Sequence, residues 1–197
     1  MAGKLDIINM ACNRIHVPPV GSLSDPTPQA RIAASEFDNA RDAVLREHVW
    51  AFATREDDLA PLHIPENPEK PDKENAFRYT IPGDCLFIQS VRDNSGRTIK
   101  HRLADHDGMT ILCTTNEAAR ITFTARITNT ERFDPVFVDA LAWRLAVPMA
   151  TGIAVDMEKA NAAQSMYEQA IGRGKVADAE EENTFVKPVS SYEKGRL

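Results

Sequence analysis

Apolar positions recur at helical spacing near both ends of the chain and at alternating spacing in the middle. That order predicts helices, then strands, then helices again. Leu5-Asp-Ile-Ile-Asn-Met-Ala-Cys-Asn-Arg-Ile15 reads as a short apolar helix. It is expected to stop at Val17-Pro18-Pro19, where backbone donors are lost and extended geometry is imposed. After the turn-rich stretch Gly21-Ser-Leu-Ser-Asp-Pro-Thr-Pro28, Thr27 is a candidate N-cap with Pro28 at the first helical position. From Ala30 to Val49, Ala33, Phe37, Ala40 and Val44 form one stripe, and Ser35, Asn39, Asp42 and Arg46 lie opposite. Trp50 and Phe52 follow and are expected to anchor the end of this helix in the core.

Residues 56–76 carry Pro61, Pro65, Pro68 and Pro71 among charged residues, which predicts a long loop without helix or central strand. Three turn signals come next: Asp93-Asn-Ser-Gly96, Asp105-His-Asp-Gly108 and Thr115-Asn-Glu117. They separate candidate strands at Leu86–Val91, Thr98–Leu103, Met109–Cys113 and Ala119–Thr128. In the last, Ala119, Ile121, Phe123, Ala125 and Ile127 alternate strictly with Arg120, Thr122, Thr124, Arg126 and Thr128, the mark of one buried and one wet face. The short turns predict an antiparallel meander.

Asp134-Pro135 predicts the start of a third helix, Phe137–Val155. Its apolar face is Val138, Leu141, Leu145, Met149, Gly152 and Ile153, ringed by Ala140, Ala142, Ala146, Ala150 and Ala154, so it should pack on several sides. Pro148 cannot donate to the carbonyl of Arg144 and should kink it. A fourth helix is expected from about 156 to 177, weakened by Gly172 and Gly174. The acidic run Asp178-Ala-Glu-Glu-Glu182 follows, then a tail over 183–197. The fold class expected is α+β in helix–sheet–helix order, with helical segments at 1–55 and 132–182 and an antiparallel β segment at 77–130 between them.

The chain has 197 residues and a net charge of −6, which argues against a surface that grips nucleic acid throughout. Its size allows a core that needs neither disulfide nor metal. No run of eighteen apolar residues is present, and the first residues lack the apolar core of a signal peptide, so neither membrane insertion nor export is expected. Cys12, Cys85 and Cys113 are odd in number, widely spaced and set among apolar neighbours, and read as reduced core residues. Cys12 and His16 share a helical spacing but lack the further ligands a zinc site needs.

Nucleotide-binding, nucleophile-elbow and zincin motifs do not occur, and no cofactor is implied. Asp105-His106-Asp107 precedes Gly108 and reads as a polar hairpin tip. Glu56, Asp57 and Asp58 are the carboxylates that a glycan-cleaving acid–base pair would have to use. Arg78, Arg92, Arg120 and Arg126 could form a basic sheet face, though without aromatics for base stacking. The catalytic and metal assignments are therefore none. Phe185, Val186, Val189 and Tyr192 give the tail apolar anchors that a merely solvated terminus seldom keeps.

Four stretches carry a family resemblance. They are Phe37-Asp-Asn-Ala-Arg-Asp-Ala-Val-Leu-Arg-Glu-His-Val-Trp-Ala-Phe-Ala53, Tyr79-Thr-Ile-Pro-Gly-Asp-Cys-Leu86, Phe133-Asp-Pro-Val-Phe-Val-Asp-Ala-Leu-Ala-Trp-Arg-Leu-Ala146 and Tyr192-Glu-Lys-Gly-Arg196. In order and spacing they resemble the tail tubular protein A family of short-tailed bacteriophages, the head-to-tail adaptor or gatekeeper ring. Tyr192 stands where that family has Trp. The resemblance implies a non-enzymatic virion protein, made in the host cytoplasm and placed in the neck of the particle. It implies a homo-oligomeric ring, commonly a dodecamer, between the portal protein and the tail nozzle, with genomic DNA passing through the channel during ejection. It further implies a four-helix bundle from 1–55 and 132–182, with the antiparallel β domain at 77–130 inserted between its second and third helices, and an extended C-terminal tail. A ring needs two complementary patches per subunit. Phe185, Val189, Tyr192 and Arg196 of the tail, with Trp143 of the third helix, are the interface residues expected. Some relatives have been proposed to cleave peptidoglycan, and a glycan hydrolase is the alternative reading.

Overall fold

In the computed structural model the described residues are 2–63, 77–153 and 157–183, with side chains described as far as Ala177. Among the described residues there are four α-helices: α1 (Lys4–Arg14), α2 (Pro28–Glu47), α3 (Pro135–Gly152) and α4 (Met157–Asn183). Six strands are described between α2 and α3: β1 (Thr54–Asp58), β2 (Phe77–Thr80), β3 (Cys85–Arg92), β4 (His101–His106), β5 (Met109–Thr114) and β6 (Arg120–Ala125). The fold is α+β. One compact unit comprises the residues up to Val44 and those from Phe133 on; the other runs from Leu45 to Arg132.

In the helical unit, α3 packs on both α1 and α4. Phe137, Ala140, Leu141, Ala142, Leu145, Ala146, Met149 and Ala150 are all sealed from solvent, so α3 is buried on most of its circumference as its alanine content predicts. Asp134 caps it, its Oδ1 accepting from the Val136 amide at 2.7 Å. The helix runs on through Pro148 to Gly152. Gly152 is exposed, outside the expected apolar face; a Cβ there would come within 2.6 Å of the Ile32 side chain on α2. The α2 stripe is buried at Ala33, Phe37, Ala40 and Val44, and the Ala30 amide donates to Thr27 Oγ1 at 3.3 Å. α4 continues to Asn183, so the acidic run 178–182 lies inside the helix rather than after it. Ala and Glu are strong helix formers, and the cost of two glycines, about 1 kcal/mol each, did not end the helix.

α1 ends before the prolines. The Val17 amide reaches the Cys12 carbonyl at 3.0 Å and the His16 amide the Asn13 carbonyl at 3.2 Å, with His16 at φ +58°. This is a Schellman closure with histidine in the left-handed position that glycine usually fills. His16→Gly is expected to stabilise the protein by about 1 kcal/mol, read as a higher midpoint in thermal or urea unfolding.

The six strands do not form a single meander. They make two antiparallel three-stranded sheets, in the orders β1-β6-β3 and β2-β5-β4. Isolated bridges Pro61↔Tyr79 and Arg92↔Thr98 carry the chain from one sheet to the other. Glu56–Asp58, expected in the loop, are instead the second half of β1, an edge strand with no apolar alternation to announce it. Residues 64–76 of the expected loop lie outside the described residues. β4 and β5 meet at Asp107-Gly108, both at positive φ (+51° and +77°), a two-residue hairpin turn whose twist suits the strands. Ile121, Phe123 and Ala125 of β6 are fully buried as the alternation predicts. Thr124 is the exception on the polar side: 1% exposed, it accepts from Gln89 Nε2 at 3.1 Å.

Candidate interaction surfaces

The Cys12–His16 spacing brings nothing together. Cys12 is buried, with its thiol pKa pushed up by desolvation, while His16 is exposed at the helix end. Cys113 is also buried and Cys85 half-buried; all three are free thiols. Burial and the nearby Asp84 carboxylate push the Cys85 thiol up as well. Among the described residues no group of His, Cys, Asp and Glu could hold a metal ion, and no helix is long and apolar enough to cross a membrane. Asp105 and His106 end β4 and Asp107 opens the hairpin turn, with His106 Nε2 3.6 Å from Asp107 Oδ2.

β1 holds Glu56, Asp57 and Asp58 on an exposed edge. Its pairing with β6 sets Asp58 opposite Arg120 and Glu56 opposite Thr122. Arg120 grips Asp58 through two bonds, Nε to Oδ1 at 2.7 Å and Nη2 to Oδ2 at 2.9 Å. The Arg120 hydrogen bond holds the Asp58 carboxyl below the usual carboxylate range. A glycosidic general acid needs the opposite shift, so Asp58 is poorly suited to give up a proton near neutrality. Because the folded-state pKa is the depressed one, the Asp58–Arg120 contribution is present above the ordinary carboxylate range and lost as pH falls through the lowered value. Carboxyl NMR should show Asp58 titrating below a free aspartate, and Arg120→Ala should move it back up. An unshifted midpoint in the parent protein would contradict the paired geometry.

Along the same side of this sheet, Ser90 donates to Thr122 Oγ1 at 3.1 Å and Thr122 to Glu56 Oε1 at 3.3 Å. Gln89 bridges Thr124 and Thr54, the latter at 3.3 Å. The surface is thus a ladder of side chains satisfied by one another. The four arginines do not share one basic face. Arg92 and Arg120 sit opposite each other in the β3–β6 register, Arg78 belongs to the other sheet, and Arg126 lies just past β6.

In the helical unit the sequence singles out Trp143, which is half-buried on α3 with the Arg14 guanidinium 4.3 Å over its ring. One turn earlier on the same face is Asp139. Arg14, the last residue of α1, donates to the Asp139 carbonyl at 2.7 Å and also bonds its Oδ1; Arg173 of α4 reaches Oδ2 at 2.6 Å. A single carboxylate therefore receives cations from two other helices. Desolvation pulls the Arg14 pKa down and the Asp139 charge opposes that. Sequence reasoning missed this node. Only the i, i+4 spacing of Asp139 and Trp143 hinted at it, since the arginine partners are far away in sequence. It also missed Arg41 on α2, 6% exposed and clasped by Asp38 at 2.8 Å and by Asp42 at 2.7 Å.

The remaining interface residues expected from sequence, Phe185, Val189, Tyr192 and Arg196, lie outside the described residues. No family model matches the chain, and no curated protein matches it.

Proposed function

We propose that this chain is a structural head-to-tail adaptor of a short-tailed phage: a subunit of a ring that joins portal to tail nozzle and lines the DNA channel. In this reading α1–α4 form a four-helix bundle and the six strands are a domain inserted between α2 and α3. What carries it is where three of the family-like stretches fall. Trp50-Ala-Phe-Ala53 lies where α2 gives way to a short 3-10 helix and β1. Tyr79–Leu86 joins β2 to β3, and Phe133–Ala146 leads from the last strand into α3 through its Asp134 cap. Such junctions are where a chain of alternating helical and β segments needs particular residues.

Within those stretches the residues have packing duties that fit their identities. Trp50 is 2% exposed, with the Phe52 ring 6.2 Å away. The Tyr79 hydroxyl donates to the Asn116 carbonyl at 3.0 Å, so its buried polar tip is satisfied. Phe133 and Phe137 meet edge to face at 4.8 Å across the start of α3.

The test is direct. Purified protein mixed with tailless, portal-bearing heads should add ring density beneath the portal in electron micrographs. Truncation after Asn183, which removes Phe185, Val189, Tyr192 and Arg196, should leave a folded protein that no longer attaches. No added density with the full chain would overturn the adaptor reading, and undiminished attachment of the truncated one would remove the tail from it.

A further inference from the structure

The sheet edges differ in what they can accept. β3 is broken by two register irregularities, between Cys85 and Phe87 and between Ile88 and Ser90. β2 is already bridged by Pro61, and β4, though its register with β5 is unbroken, carries Arg102 against Asp105 and so offers no net acid. β1 keeps an unbroken five-residue register with β6 on one side, and its last four residues are exposed. An open strand edge is a template for another chain, and charge on it decides which chain. Arg55 is bound to Asp84 at 2.8 Å and Asp58 to Arg120, whereas Asp57 has no ionic partner among the described residues and Glu56 shares the field of Arg120 and accepts from the Thr122 hydroxyl. The edge therefore carries unspent negative charge. Edge-on pairing with β1 of another copy would set acid against acid, and a basic strand would be favoured.

We propose that β1 accepts residues 184–197 of a second copy as an added strand. That segment carries Lys187, Lys194 and Arg196 against a single acid, Glu193, in a chain whose net charge is −6. It is also rich in residues that suit strands: Thr184, Phe185, Val186, Val189 and Tyr192. α4 is described as far as Asn183, and the 14 residues after it could span about 45 Å if extended, several times the length of a five-residue strand. The choice of a second copy rests on the adaptor reading, in which subunits stand side by side in a ring. The acidic edge then supplies one of the two patches a head-to-tail contact requires and the basic segment the other.

Full-length Asp57→Cys and Val189→Cys variants, mixed under mild oxidation, should give a disulfide-linked pair well above what either gives alone. Replacing Asp57→Cys by Ser35→Cys, on an exposed position of α2, should abolish the excess. The combined change Glu56→Lys with Asp57→Lys should weaken self-association at low salt at least about tenfold by sedimentation, and Ser35→Lys should not. No excess linkage, equal linkage through Ser35→Cys, or a purely intrachain disulfide in the double-cysteine chain would each overturn the proposal. Attachment to portal-bearing heads is scored separately. Linkage without attachment leaves this contact standing and removes the adaptor role; attachment without linkage does the reverse.

Discussion

Leu141→Asp is expected to abolish cooperative folding of the helical unit. Leu141 is 0% exposed at the middle of α3, the helix that touches both α1 and α4. An aspartate there has either to bury an unpaired charge or to take up a proton in apolar surroundings, and it also removes the leucine's packing. A loss of about 4 kcal/mol or more follows, comparable to the whole stability of many domains. Circular dichroism should show the helical signal fading without a sharp transition. A melting midpoint within about 2 °C of the parent protein would mean that the register of α3 is wrong.

Phe123→Ala should cost the β unit about 3–5 kcal/mol. Phe123 is fully buried on the central strand of its sheet, between Arg55 of β1 and Ile88 of β3 in the register. Removing the ring leaves a cavity in a place where strands on both sides hold the backbone and limit collapse. Phe87 offers the internal comparison: it is 47% exposed on edge strand β3, and Phe87→Ala should stay within about 0.5 kcal/mol. Urea unfolding followed by tryptophan fluorescence measures both, since Trp50 lies in the same unit as the two phenylalanines. Equal losses for the two variants would contradict the assigned faces of this sheet.

The contrast between those two phenylalanines also shows what sequence pattern conveys. The helices were legible because each writes its burial into its own spacing: Ala33, Phe37, Ala40 and Val44 on α2 repeat at the period of a helix and are all buried. β6 was legible for the same reason at a period of two. β1 was not, because Thr-Arg-Glu-Asp-Asp has no apolar residue to alternate; an edge strand that faces water reads as loop. Partnering was legible only where a tight turn enforces it. Asp107-Gly108 makes β4 and β5 neighbours, whereas the β1–β6 and β3–β6 ladders join residues whose separation leaves no local trace.

The candidate surfaces divide along the same line. Asp58 stood out as a carboxylate among carboxylates, but its character comes from Arg120, 62 residues away. Trp143 stood out as an aromatic, but its environment comes from Arg14 at the end of α1. Residue type can be read locally. The electrostatic setting that gives a residue its behaviour is assembled by the fold.

Asp139 carries that dependence furthest, since Arg14 and Arg173 both close on its one carboxylate. A two-member ion pair can be inverted during sequence drift by exchanging its members. Three members sharing one charge need three matched changes, because reversing any one or two of them leaves like signs in contact. These positions are therefore expected to vary together or not at all across the chain's descendants. Trp143, stacked on one of them, should be held in place by the same constraint.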